Sequence, residues 1–178
     1  MKDQLIQNSI RKSELQLSVS QKLIHYRVSI FALIVSIACF SDFFQRLDFD
    51  FDRVFMKFGI VFLFLSLVSF FKQKSELKLR RLKIKTFESG SFENILQITK
   101  TNNWIVETAT KKIIVISVKR PYSSGRYFIT QTMGEKIYIF FNHSEVYYKS
   151  IYDLSSFGFV VSSGENKENE EKLTKAFS

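Results

Sequence analysis

The fold is decided by two apolar stretches, YRVSIFALIVSIACFSDFF at residues 26–44 and VFMKFGIVFLFLSLVSFF at residues 54–71, with nine residues between them. A bilayer hydrocarbon core of ~30 Å needs about 20 mostly apolar residues per helix. The two stretches, 19 and 18 residues long, lie at the lower end of the spanning range. The sequence therefore predicts two transmembrane helices, and the short connection makes residues 26–71 an antiparallel helical hairpin.

A buried helical hairpin in a soluble domain is the alternative. Only 14 uncharged residues separate Arg27 from Asp42, and 14 again separate Lys57 from Lys72. Runs of that length also occur as buried helices. Neither stretch contains proline, both end in Phe-Phe, and the rest of the chain offers little core to surround two helices that are apolar on all sides. These features favour the bilayer.

The distribution of charge predicts the orientation of the hairpin. Lysine and arginine are concentrated before the first stretch and after the second, whereas the connection carries Asp48, Asp50 and Asp52 against two arginines. Loops rich in Lys and Arg stay on the cytoplasmic side. Both termini are therefore expected in the cytoplasm and the acidic connection outside.

Four segments follow along the chain. Residues 1–25 are predicted to form a cytoplasmic amphipathic helix that continues into the first span, 26–71 the transmembrane hairpin, 72–90 a basic juxtamembrane linker, and 91–178 a small cytoplasmic α+β domain. Apolar residues recur seven apart at Ile10, Leu17, Ile24 and Phe31. This favours a helix on the membrane surface or a helix that packs against copies of itself. The linker pattern fits a bulged strand or a short helix.

The α+β domain is predicted from a change of periodicity. A helix is expected at residues 91–102, and alternating residues then predict strands at 104–108, 112–118, 127–132, 136–141 and 145–151 in an antiparallel meander. Residues 113–118 are apolar on both faces, which indicates an interior strand. A capping box formed by Ser162 and Glu165 opens a polar C-terminal helix.

Small residues mark a helix-packing seam in the two apolar stretches. Small side chains let helix backbones approach closely, and such contacts matter in lipid, where helices gain no hydrophobic drive to associate. The seam either joins the two helices of one hairpin or faces neighbouring subunits. Its residues are Ser29, Ala32, Ser36, Cys39, Gly59 and Ser66.

Two kinds of charged group are candidates for function. Asp42 and Lys57 are equally far from the middle of the connection, so they could pair across the hairpin or contribute to a charged ring at a pore mouth. The net charge is +9, and much of the excess follows the second stretch. Anionic lipid is the first expected partner of that excess, and RNA the second. The expected lipid contacts are Lys72, Lys74, Lys78, Arg80 and Arg81.

Signals for enzymatic chemistry are poor, so we expect no enzyme, no catalytic residue, no metal site and no cofactor. The two histidines, His25 and His143, have no arginine five to seven residues before them, as a nuclease of the HEPN type would require. Glu165-Asn166-Lys167 matches a nuclease motif in its letters but lies in a run of charged residues. One cysteine, Cys39, and two histidines do not make a usual zinc site.

A basic helical N-terminus, a Phe-rich membrane segment and a small cytoplasmic domain in a chain of this length resemble the small membrane accessory proteins of type VI-B CRISPR–Cas systems of Bacteroidetes. The resemblance covers the whole chain and rests on organisation and composition. The segments FENILQITKTNNW and FGFVVSSGENKEN also look like parts of small Bacteroidetes membrane proteins. A divergent HEPN site has been suspected in this family, but this chain lacks its Arg…His pair.

The resemblance implies a homo-oligomeric pore in the bacterial inner membrane that strengthens antiphage defence by an RNA-guided RNase. Its partners would be copies of itself in a ring, the bilayer, and functionally the RNase or its RNA products. One hairpin cannot enclose a water path, so a pore requires several copies, usually in a closed ring. A membrane-tethered adaptor that recruits a cytoplasmic partner is the alternative, and a tethered nuclease is the third hypothesis.

Overall fold

The computed structural model describes residues 3–46, 49–83, 89–119, 134–142, 145–155 and 164–177. The chain divides into two compact units. We call residues 18–76 the helix pair, after the two long helices that they contain. We call residues 1–17 together with 77–178 the sheet domain. The elements in chain order are α1 (Asp3–Lys12), α2 (Val19–His25), α3 (Arg27–Arg46), α4 (Phe49–Ser75), β1 (Arg80–Lys83), α5 (Ser89–Thr101), β2 (Ile105–Ala109), β3 (Ile113–Val118), β4 (Glu135–Asn142), β5 (Glu145–Tyr152) and α6 (Glu165–Phe177).

The two predicted apolar helices are confirmed as α3 and α4. Both are long and apolar enough to cross a membrane, over Arg27–Phe44 and Val54–Ser75. Only 17% and 11% of these segments are buried within the protein. The core helices of a soluble domain are mostly buried, so this low burial favours helices that span a membrane.

The sheet domain contains one antiparallel sheet of five strands in the order β1-β5-β4-β3-β2. The predicted antiparallel sheet is confirmed, and β3 is an interior strand whose six residues are all buried. The predicted order differs, because β3 pairs directly with β4, whereas the meander placed the strand at 127–132 between them. The predicted strand at 127–132 and the capping residue Ser162 lie outside the described residues. The helix predicted at 91–102 is α5, which begins at Ser89 and ends before Asn103, a residue with left-handed backbone.

Both faces of the sheet are buried. On one face Ile116, Ile137 and Tyr148 pack with Ile95 of α5 and Leu173 of α6 in the main hydrophobic core. On the other face Phe140 is fully buried, and α1 contacts the strand that carries it. A sheet with two apolar faces needs a layer on each, and the N-terminal segment supplies the second layer.

The prediction of one continuous helix through residues 1–25 is therefore wrong. α1 ends at Lys12, Ser13 has a left-handed φ of 49°, and the chain is extended before α2. Ser9 closes this turn, since its hydroxyl donates to the carbonyl of Leu5 (2.6 Å) and accepts from the amide of Gln16 (2.9 Å). Ile6, Leu15 and Leu17 are buried in the sheet domain. The seven-residue repeat therefore does not mark one face of a continuous helix.

Of the two structures predicted within the linker at 72–90, a bulged strand or a short helix, the described residues contain a strand, β1. α4 continues to Ser75, β1 forms the edge of the sheet next to β5, and α5 starts at Ser89. Between α4 and β1 the chain meets the N-terminal segment. The amide of Leu15 donates to the carbonyl of Leu77 (2.8 Å), and the amide of Leu79 donates to that of Ser13 (3.0 Å).

Candidate functional site: the apolar helix pair and the polar contacts of the sheet domain

The small residues of the predicted seam make contacts within the helix pair. The hydroxyl of Ser66 on α4 donates to the carbonyl of Ser29 on α3 at 2.9 Å, and the hydroxyl of Ser36 donates to the carbonyl of Gly59 at 2.8 Å. Ala32 is buried as well, and Cys39 is half-buried. Of the two interpretations of the seam, the contacts of these residues match the one in which α3 and α4 face each other.

Gly59 is a point of close approach between the two helices. A Cβ atom built on Gly59 would lie 3.0 Å from the ring of Phe40 on α3. Real Cβ atoms rarely come so close to a neighbour, because such a contact is repulsive. The position therefore uses the absence of a side chain for packing.

The outward surface of the helix pair is formed largely by exposed aliphatic and aromatic side chains. Exposed apolar surface of this extent is rare in soluble monomers and marks a surface covered by lipid or by protein. The exposed residues are Phe31, Leu33, Ile34, Ile37 and Phe44 on α3, and Val54, Phe58, Ile60, Val61, Leu63, Phe64, Leu65, Leu67, Val68, Phe70 and Phe71 on α4.

Hydrogen bonds to Gln73 join α2 and α3 to α4 at one end of the helix pair. His25, the fully buried last residue of α2, contacts the backbone carbonyl of Gln73 through Nε2 at 2.9 Å. The hydroxyl of Ser29 donates to the side-chain oxygen of Gln73 at 2.6 Å. Burial lowers the pKa of His25, and the hydrogen bond to the Gln73 carbonyl opposes that effect. These contacts fix α2 against the end of α4.

The predicted charged groups have different surroundings. Asp42 is half-buried on α3 and Lys57 is exposed on α4, and their pairing stays a prediction. Lys72 and Lys74 are exposed in the last turn of α4, as is Lys78 beyond it. Contact of these lysines with lipid stays a prediction too.

Arg80 and Arg81 instead contact carboxylates of the sheet domain. Arg80 pairs with Glu170 through Nε at 2.6 Å, and Arg81 pairs with Glu145. The hydrogen bond and charge of Glu145 raise the pKa of Arg81. Glu145 also accepts from the hydroxyl of Tyr147 at 2.6 Å, which raises the pKa of that phenol. Part of the basic charge assigned to lipid is thus neutralised within the domain.

A polar face of α6 is the feature that the sequence interpretation missed. Glu170 is 2% exposed, and its carboxylate contacts Lys149 Nζ at 2.9 Å and the amide of Ser150 at 3.2 Å in addition to Arg80. The neighbouring Asn169 is fully buried and donates to Glu135 and to the hydroxyl of Ser150, both at 3.3 Å.

The signal for this face was present in the sequence. The residues of α6 that contact the sheet are spaced as one side of a helix around a single large apolar residue. Because most of them are polar, the sequence predicts only a polar C-terminal helix and does not indicate that this side is buried. They are Asn166, Asn169, Glu170, Leu173 and Thr174.

The open edge of β5 explains the position of Glu170. β1 pairs with β5 only as far as Arg80 opposite Tyr148, so the amide of Ser150 lies beyond the end of β1. A buried amide without an acceptor is costly, and Glu170 accepts from it. The carboxylate therefore both completes the edge of the sheet and binds two cationic side chains.

A second charged cluster lies at the start of β4. Lys136 Nζ is 3.0 Å from Glu107 and 3.7 Å from Asp153. Burial, together with the charges of Asp153 and Glu107, raises the pKa of the nearby Tyr138 to about 12. The phenol is therefore neutral at physiological pH, and the lysine is held between two carboxylates as a structural ion-pair network.

In the part of the chain that the structure describes, the residues of the weak nuclease match make structural contacts. Asn166 accepts from the hydroxyl of Ser150 at 3.0 Å, and Lys167 on the exposed side of α6 lies 3.7 Å from Glu171. His143 lies outside the described residues. Within the described ranges, no group of three or more His, Cys, Asp or Glu residues is placed to hold a metal ion. The absence of enzymatic activity stays a prediction.

Comparison with known proteins adds no assignment: no protein-family model, no curated protein and no solved structure matches this chain.

Proposed function

We propose that this protein is a membrane-tethered adaptor, in which α3 and α4 cross a bilayer as a hairpin and tether the sheet domain to the membrane. The observation that carries the proposal is the separation of polar from apolar side chains in the helix pair. The hydroxyls of Ser36 and Ser66 are satisfied between the helices, while the outward side chains are largely apolar. Lipid is the solvent in which such a surface is stable.

The chain enters and leaves the helix pair at the same place, which supports a hairpin with both ends on one side of the membrane. Residues 13–15 precede the helix pair and residues 77–79 follow it, and backbone hydrogen bonds join these two segments. A chain that enters and leaves the helix pair at one place crosses a membrane an even number of times. The excess of Lys and Arg at that end favours the cytoplasmic side.

The adaptor role is supported by the composition of the helix pair. The hydroxyls of Ser29, Ser36 and Ser66 are engaged between α3 and α4, so these groups are not available to line a water path. The exposed sheet domain is the part available to a cytoplasmic partner. Under this proposal, the spans anchor the protein in the membrane and the sheet domain binds the cytoplasmic partner.

The test uses the full chain in bacterial membranes. The protein should resist extraction by alkaline carbonate and dissolve only in detergent. In a Cys39→Ala background, a cysteine at Lys172 should react with a membrane-impermeant maleimide only after the membrane is opened, and a cysteine at Asp48 should react in intact cells. Release of the protein by carbonate, or identical labelling of the two cysteines, would contradict the proposed topology.

A ring-shaped homo-oligomeric pore is the second candidate. Lys57 is the observation that favours it, because this exposed ammonium lies inside the second candidate span. Charged groups at membrane depth usually face a protein interior or a water-filled path. In a ring of copies, Lys57 would face the lumen. This role would fit the antiphage pore that the resemblance to CRISPR accessory proteins implies.

Two measurements separate the candidates. A pore requires a defined oligomer in detergent and ion flux from vesicles that changes with Lys57→Gln. An adaptor keeps its function when both spans are replaced by an unrelated two-span anchor. A monodisperse monomer without flux would eliminate the pore, and loss of function on anchor replacement would eliminate the simple adaptor.

A further inference from the structure

The short helix α2 exposes apolar side chains although it is firmly held. Val19 is 78% exposed and Leu23 is 59% exposed, and the two are one helical turn apart. Ser18 and Gln21 form a reciprocal capping box that fixes the start of α2. His25 fixes its end through the contact with Gln73. The exposed apolar pair therefore belongs to an ordered surface.

Cationic side chains surround the same end of the helix pair. Lys22 is exposed on α2, one turn before His25, and Lys72 and Lys74 are exposed on either side of Gln73. Because His25 contacts Gln73, the three ammonium groups share one end of the unit. Arg27 begins α3 here and Glu76 follows α4, so positive charge exceeds negative charge.

This end is also continuous with the apolar surface of α3 and α4. The ring of Tyr26, directly after α2, packs on Phe70 of α4 with their centroids 5.2 Å apart. Tyrosine rings commonly lie at the boundary between hydrocarbon and headgroups. The order along the unit is thus apolar helices, then a tyrosine, then an amphipathic helix with lysines.

We infer that α2 and the last turn of α4 form an interfacial docking surface for anionic phospholipid. The inference rests on the proposed membrane location of α3 and α4. Val19 and Leu23 enter the boundary between headgroups and acyl chains, as the apolar faces of interfacial helices do. Lys22, Lys72 and Lys74 bind the phosphates of anionic headgroups. The surface would hold the sheet-domain end of the helix pair at a fixed depth in an anionic leaflet.

The depth of α2 is tested with the full chain reconstituted in vesicles. In the Cys39→Ala background, Val19→Cys is labelled with an environment-sensitive fluorophore, and lipids with brominated acyl chains serve as quenchers. The label should emit at a shorter wavelength than the same fluorophore in water, and the brominated lipids should quench it. The matched control is a label on Glu171→Cys, an exposed position of α6, which should stay unquenched. A label at position 19 that behaves like the one at 171 would overturn the inference.

Lipid preference is tested at a label on Leu23→Cys. Quenching by brominated phosphatidylglycerol should exceed quenching by brominated phosphatidylcholine. Each lysine near an anionic surface contributes at most about a fivefold preference. Replacing Lys22, Lys72 and Lys74 by glutamine should therefore reduce the preference by fivefold or more. The matched control replaces three exposed lysines of the sheet domain, Lys100, Lys111 and Lys119, and should keep the preference.

The outcomes separate this inference from the proposed function. A protein that resists carbonate but shows equal quenching by both lipids would overturn the docking surface and leave the membrane hairpin intact. An unchanged preference after loss of the three lysines would also overturn it. A protein released by carbonate would overturn the hairpin first, and the lipid surface with it.

Discussion

Replacing Glu170 by alanine should destabilise the sheet domain much more than any exposed carboxylate does. The side chain is 3% exposed and contacts Arg80, Lys149 and the amide of Ser150. Removing it leaves a buried amide without its acceptor, at about 1–3 kcal/mol. It also leaves the ammonium of Lys149, a side chain only 14% exposed, without its buried counter-ion.

The loss of stability caused by Glu170→Ala is limited because one of its cationic partners is accessible to solvent. Removal of one partner from a buried ion pair costs about 3–5 kcal/mol, but Arg80 is 41% exposed and can recover water. We therefore expect a loss of about 3 kcal/mol in the free energy of unfolding. With a urea dependence of about 1.5 kcal/mol per molar for a small domain, the midpoint should fall by roughly 2 M.

The assay uses the single tryptophan of the chain. Trp104 is buried in the core of the sheet domain, so its fluorescence reports unfolding of that domain while mild detergent covers the helix pair. Glu171→Ala is the matched control, because this neighbouring carboxylate is 56% exposed and only 3.7 Å from Lys167. Its effect should stay within about 0.5 kcal/mol. Equal midpoints for the two variants would refute the reasoning about the buried carboxylate.

Two further predictions concern other parts of the molecule. Tyr138 has its pKa raised to about 12 by burial and by the charges of Asp153 and Glu107. Its contribution to stability should be fully present below pH 10 and be lost as the pH rises toward 12, because the unfolded phenol ionises first. Absorbance titration near 295 nm should show a late-ionising component that is lost in Tyr138→Phe, and an unchanged titration curve in that variant would contradict this. Gly59→Leu should separate α3 from α4 at Phe40, since even a Cβ would lie 3.0 Å from that ring, and should lower the melting temperature in detergent more than Ile60→Leu; equal melting temperatures would contradict the close approach.

The described strands of the sheet could be predicted from the sequence because a strand with buried faces repeats its apolar residues locally. β3 was expected as an interior strand from Ile113 to Val118, and the structure places it between β2 and β4. The two apolar helices were predictable for the same reason, since composition alone distinguishes a helix that is apolar on all sides. Such patterns depend on neighbours in sequence.

The N-terminal segment could not be predicted in this way. Ile10 and Leu17 fit a heptad pattern, yet α1 ends at Lys12 and Leu17 is buried in the sheet domain. The competing interaction is the apolar second face of the sheet, which is formed by strands more than a hundred residues away. A periodic pattern shows that a segment has an apolar side but does not show which surface covers it.

The sequence by itself determined the two apolar helices and the alternation of the described strands, because both depend on hydrophobicity over a few neighbouring residues. Only the tertiary structure decided that Glu170 and Asn169 are buried, that Arg80 and Arg81 are neutralised, and that the small residues of α3 and α4 face each other. The physical reason is that a polar side chain is buried only where distant groups satisfy its hydrogen bonds and charge. Those partners, such as Lys149 and Ser150 for Glu170, become neighbours only when the chain has folded.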